Sequence, residues 1–175
     1  MEVRQREAET GIAALELLLA LPVLAMIMAG AVFGISAAAK DYILLRTQEE
    51  VQLEVQLVFA KVIDDCLTAT SLRRGSRSES IRLYAGDRPL KEYLVNEDNK
   101  GVRKLVENRI TLPLTGNHAW AGVEVKSFGF REVDPAGRPG LYMIWLEGTS
   151  RRAGVKPYRL VTEVYLPPQK QGGSP

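Results

Sequence analysis

Between Glu16 and Lys40 the chain carries no Asp, Glu, Lys, Arg or His, so Leu17 to Ala39 is a run of 23 uncharged, mostly apolar residues. At ~1.5 Å of rise per residue, such a run wound as a helix is long enough to cross a bilayer core of ~30 Å. The pattern then changes. From Lys40 to about Leu72 there is neither Gly nor Pro, and apolar residues recur at Leu44, Val51, Val55, Val58, Phe59, Val62, Ile63, Cys66 and Leu67. Steps of three, four and seven draw a single stripe along a helix, with Gln48, Glu49, Gln52, Glu54, Gln56, Lys61 and Asp65 mostly off it. The pattern predicts one helix of about 55–60 residues, apolar all round in its first half and with one face to bury in its second. Arg73, Arg74, Gly75, Ser76, Arg77 and Ser78 are expected to close it, because cations suit the negative helix end and Gly75 suits a C-terminal cap.

Beyond residue 78 the period shortens to that of strands. Ile81 to Tyr84 alternates, and Gly86 to Pro89 reads as a turn. Leu90 to Val95 and Val102 to Val106 flank the turn-rich stretch Asn96 to Gly101, which predicts a small meander. Val123, Val125, Phe128 and Phe130 change parity around Lys126 and Ser127, which predicts a bulge. Asp134 to Gly140 reads as a hairpin loop between that strand and Leu141 to Glu147, and Tyr158 to Leu166 is a last strand. Such a sheet needs an apolar cover, and the stripe from Val51 to Leu67 supplies one. The expected fold is α+β: a long N-terminal helix, with a membrane half (12–39) and an amphipathic half (40–72), packed against a C-terminal antiparallel sheet (73–167), followed by a polar tail (168–175) expected to be disordered.

Composition narrows the picture. The chain has 175 residues and a formal net charge of +2, too small to argue for nucleic acid on bulk charge. Cys66 is the single cysteine, so no intramolecular disulfide forms, and its place on the apolar stripe reads as a small buried hydrophobe. One histidine, His118, excludes His-rich metal sites and most His-based triads. Asp64 and Asp65 are adjacent and do not face a common ligand on a helix. Glu97, Asp98 and Asn99 lack the further ligands of an EF-hand and read as a solvated turn. No G-x-x-x-x-G-K-[ST], H-E-x-x-H or G-x-S-x-G occurs. No catalytic residue, cofactor or metal site is therefore expected. Trp120 and Trp145 read as core or sheet-face residues, and a sugar or DNA surface around Trp120 and His118 has little else to support it.

The chemistry that does stand out lies at the head of the apolar run. Gly11 is followed by Ile12, Ala13, Ala14, Leu15 and Glu16, and then by the uncharged residues. This resembles the class III signal of type IV pilins and pseudopilins. The resemblance implies that a prepilin peptidase cuts after Gly11 on the cytoplasmic side, releasing residues 1–11 as a leader. It also implies methylation of the new N-terminus at Ile12 and a role for Glu16 in filament assembly. Ile12 stands where Phe is commoner in that family. Pro22 falls early in the run as a helix-kinking position, within a G-x-A-A-x-E-x-x-x-x-x-P pattern that is also similar to TadE-type pseudopilins of tight-adherence pili. Further along, PLTGNHAWAGVEVKSFGFREV and YRLVTEVYLP resemble the C-terminal sheet of minor PilW/GspJ-like subunits. An ordinary secretory signal accounts for neither Gly11 nor Glu16, and the apolar run exceeds its usual h-region of roughly 7–15 residues. The implied protein is a non-catalytic minor pilin or pseudopilin, anchored by one span in the cytoplasmic membrane with its head exported. Its implied partners are the prepilin peptidase, other pilin subunits, an inner-membrane assembly platform and membrane lipid, in a pilus, type II secretion or competence system. The alternatives are a TadE-like pseudopilin and a signal-anchored, ligand-binding ectodomain that never polymerises.

Overall fold

The computed structural model describes residues 2–108, 113–116 and 122–166, with side chains from Leu15 onward. The fold is α+β. Among the described residues one helix, α1 (Glu2–Leu67), is followed by seven strands: β1 (Ser71–Arg74), β2 (Ser80–Ala85), β3 (Arg88–Glu97), β4 (Arg103–Glu107), β5 (Val123–Asp134), β6 (Arg138–Ser150) and β7 (Tyr158–Tyr165). The chain divides into two compact units, residues 1–43 and residues 44–175. In the first unit every described side chain from Leu15 to Ile43 is exposed, among them Leu18 at 67% and Phe33 at 77%. α1 is the one helix, among the described residues, long and apolar enough to cross a membrane.

In the second unit the amphipathic stripe becomes the centre of a core. Val51, Val55, Val58, Phe59, Val62 and Cys66 are all buried. They pack against Ile81, Leu83, Tyr93 and Leu105 of one sheet, and Val123, Phe128, Ile144 and Leu146 of another. Leu44 is half-buried, but Leu67, expected on the stripe, is 63% exposed because the helix ends there.

That end is earlier than Leu72, the expected boundary. The Thr68 hydroxyl and N–H both donate to the Asp65 carbonyl, at 2.8 and 3.3 Å, and Ala69 N–H donates to Cys66 O at 3.0 Å. These i→i+3 bonds tighten the final turn. Thr70 N–H then donates to Tyr84 O at 2.7 Å, which starts a sheet. Arg73 and Arg74 therefore lie on an edge strand and not in a helical turn, and no basic residue occupies the last turn of α1. Gly75 does not cap the helix either. Its φ is not left-handed, and a Cβ there would collide with the Glu92 carboxylate.

The expected single sheet is two. β1-β2-β3-β4 form one antiparallel sheet and β5-β6-β7 the other. The outer edge of β4 is taken by the segment after it: Leu114 N–H donates to Leu105 O at 2.7 Å, and Leu105 N–H donates to Thr115 Oγ1 at 3.0 Å. With those groups satisfied, β5 cannot extend the ladder. Within β5 the expected bulge is present, as a register shift against β6 between Val125 and Ser127. A second shift lies between Glu132 and Asp134.

Candidate functional site

Gly11 and Ile12 lie in α1, in the stretch whose side chains are outside the described residues. Glu16 is exposed, with Leu15, Leu17 and Leu18 exposed beside it at 61–67%. It has no ion-pair partner among the described residues. A carboxylate carried to the bilayer centre costs roughly 2.5–3.5 kcal/mol, so a residue placed like Glu16 gains by pairing. α1 runs on through Pro22, whose ring removes one donor and frees the Leu18 carbonyl. Pro22 and Glu16 are thus on one helix with Gly11 and Ile12.

A polar grouping of the head lies where α1 ends. Asp65 accepts hydrogen bonds from Lys91 Nζ at 2.7 Å and from the Tyr93 hydroxyl. Lys61 Nζ reaches Glu107 Oε2 at 3.0 Å, and Lys91 Nζ stands 4.0 Å from Glu107 Oε1. Burial pushes the Asp65 carboxyl up, but the hydrogen bonds from Lys91 and Tyr93 outweigh it and hold the group below its ordinary value. The bond to Asp65 raises Lys91. Burial, then Asp65, raise the Tyr93 hydroxyl and push the Cys66 thiol up to about 12. Asp65 is held charged by Lys91 and Tyr93, and the tyrosine and thiol are held neutral chiefly by burial. The arrangement fixes the end of α1 on β3 and β4. The sequence pattern missed it, since Lys61 and Asp65 read only as polar residues mostly off the apolar stripe, and each in fact reaches a strand.

A second buried carboxylate, Glu92, is 4% exposed. It accepts from Ser76 N–H at 2.6 Å, Ser76 Oγ at 2.8 Å and Arg82 Nη2 at 2.8 Å. Burial alone would raise it, but these donors hold it low.

A cleft of about 550 Å³ is lined by Asp98, Lys100, Lys104, Arg151 and Arg152 with Gly116 and Gly122. Lys104, Arg151 and Arg152 are engaged within the head. Lys104 Nζ is 3.4 Å from Asp98, Arg151 donates to the carbonyls of Lys100 and Gly101, and Arg152 donates to Thr47 Oγ1 at 3.1 Å. Asp98 takes the turn role expected of it, accepting from Lys100 N–H at 2.8 Å and Val102 N–H at 3.0 Å. Trp145 is half-buried on the sheet face over Gly129, where a Cβ would meet its ring at 2.8 Å. His118 and Trp120 lie outside the described residues, as do residues 167–175. Among the described residues no group of three or more His, Cys, Asp and Glu could hold a metal ion.

Set against protein-family models, curated proteins and solved structures, the chain matches none of them.

Proposed function

We propose that this chain is a non-catalytic minor subunit of a type IV pilus-like filament, made as a precursor that a prepilin peptidase cuts between Gly11 and Ile12. What carries the reading is the placement of Gly11, Glu16 and the uncharged run Leu17–Ala39 on the same helix that, from Val51 on, forms the core of an antiparallel β head. The α+β fold and the one apolar span among the described residues are consistent with it. Before assembly the chain sits in the cytoplasmic membrane with the head exported. After the cut Ile12 carries a positive amine. Packing the apolar helices side by side places Glu16 in apolar surroundings, where an unpaired carboxylate loses several kcal/mol of solvation. Pairing with an Ile12 amine offsets most of that loss and sets the axial register between subunits, as a single polar group fixes register in a coiled coil.

N-terminal sequencing of the mature protein from its native host is the test. A chain that starts at Ile12 with a methylated amine is expected, and Gly11→Val should retain the leader, because a side chain there blocks close approach to the backbone. A start at Met1, or after an alanine near residue 31 or 39, overturns the reading in favour of a signal-anchored ectodomain or a secreted head. Glu16→Val should still insert and be cut, yet fail to enter filaments in a strain lacking the wild-type copy.

A further inference from the structure

Sheet β5-β6-β7 ends on β7, and among the described residues no strand pairs with its outer side. β7 is eight residues long with no Gly or Pro inside it. Its hydrogen-bonding parity follows from one bond: Leu166 N–H donates to Gly140 O at 2.8 Å. The register continues without a shift through Val164↔Tyr142, Thr162↔Ile144 and Leu160↔Leu146. Antiparallel bonds alternate in side, so the even-numbered residues turn their N–H and C=O to β6, and Arg159, Val161, Glu163 and Tyr165 present theirs outward. The side chains of these four are also exposed, Val161 at 47% and Tyr165 at 57%. The inward side chains report the same open edge. Leu160 and Thr162 are not buried, whereas their β6 partners Leu146 and Ile144 are 0% exposed.

We infer that β7 pairs edge to edge with β7 of a second copy of this chain, antiparallel about a two-fold axis through Val161. Outward-facing groups must meet outward-facing groups, so odd-numbered residues oppose odd-numbered ones. Centring on Val161 sets Arg159 against Glu163 of the second copy, and the symmetry repeats the pair. Centring on Arg159 or on Glu163 opposes like charges, and centring on Leu160 or Thr162 leaves each charge without its opposite. Neither Arg159 nor Glu163 has an ion-pair partner among the described residues. Glu147, the β6 neighbour of Arg159, already accepts from Ser127 Oγ at 3.3 Å and stands 3.7 Å from Lys126. Pro157 has no N–H to donate and bounds the ladder at one end. The contact is isologous and closes at two copies. It uses the head alone and goes beyond the filament reading, so either can fail without the other.

The test uses the full chain in detergent micelles. Across a hydrogen-bonded pair the Cα atoms lie about 5.5 Å apart, within the roughly 4.4–6.8 Å that a disulfide spans. Val161→Cys is therefore expected to oxidise to a covalent dimer, while Ser78→Cys, on an exposed loop of the other sheet, stays monomeric. Cys66 is 0% exposed and stays out of the reaction. In sedimentation, Arg159→Glu alone and Glu163→Arg alone should each raise the dimer Kd on the order of tenfold. An equimolar mixture of the two variants should restore pairing, because every opposed pair in the mixed dimer is again of opposite sign, and misfolded chains would not rescue each other. Cross-linking of Val161→Cys no faster than Ser78→Cys overturns the inference. So does a mixture that sediments as its components do, or a cross-link that joins Val161→Cys to a different protein in place of a second copy.

Discussion

Val55 of α1 packs directly over Gly148 of β6. A Cβ built on Gly148 would overlap Val55 Cγ2 and stand 3.4 Å from Val123 Cγ1. Val55 is 1% exposed and Val123 0% exposed, so neither has solvent to move into. The backbone of Gly148 has no left-handed φ, so alanine is tolerated there except for this contact. Gly148→Ala alone should destabilise the head by about 1–3 kcal/mol, the range for over-packing by one methyl. Val55→Ala removes two buried methyls at ~0.8 kcal/mol each and leaves a cavity, about 2–3 kcal/mol together. In the double variant the new methyl enters the space Val55 vacated. Its loss should therefore fall short of the sum of the singles by about 1–2 kcal/mol, a coupling typical of residues in contact. Urea unfolding of the full chain in micelles, followed by Trp fluorescence, measures all four corners. Losses that add within about 0.5 kcal/mol would mean that α1 does not lie over Gly148, and the helix-on-sheet packing derived from the stripe would be wrong.

Two further predictions concern titration. Asp65 and Glu92 are held below their ordinary 3.8 and 4.5, so their contributions are complete above those values and are lost as pH falls through the lower folded-state values; thermal stability of the head should decline below about pH 4.5, and Glu92→Gln should flatten the decline while removing about 1–3 kcal/mol at pH 7. The Cys66 thiol is raised from 9.0 to about 12, so its contribution is intact below pH 9 and fades as pH climbs towards 12; maleimide should label Cys66 at neutral pH in denaturant and leave it unlabelled in the native chain, and native labelling would refute its burial.

How much of this was legible in the sequence depended on what decides each feature. The stripe from Val51 to Cys66 was, because burial of one helix face leaves a period that a short window reveals. The bulge in β5 was too, because parity changes at the same residues that lose register against β6. The division into two sheets was not. It rests on Leu114 and Thr115 satisfying the edge of β4, a contact that no periodicity encodes. The ties of Asp65 to Lys91 and Tyr93 were hidden for a similar reason. They join residues 26 and 28 positions apart, and an acid one step off an apolar stripe looks the same whether it faces solvent or a strand.

β1 is the instructive failure. Ser71, Leu72, Arg73 and Arg74 offer one apolar residue in four, and two cations followed by Gly75 are what a helix end ordinarily shows. The local signal was real, but it was outweighed. Leu72 is 5% exposed and Ala69 7%, and continuing α1 through them would carry Thr70 away from Tyr84, to which both its N–H and its hydroxyl donate. The Thr70 hydroxyl in turn accepts from Gly86 N–H at 2.7 Å, so a single side chain closes the β2–β3 turn and starts β1. Arg73 keeps its cation, placing it 4.6 Å from the centre of the Tyr84 ring. Helix propensity at such a boundary is worth only tenths of a kcal/mol per residue, less than one buried hydrogen bond, so the sheet decides where the helix stops.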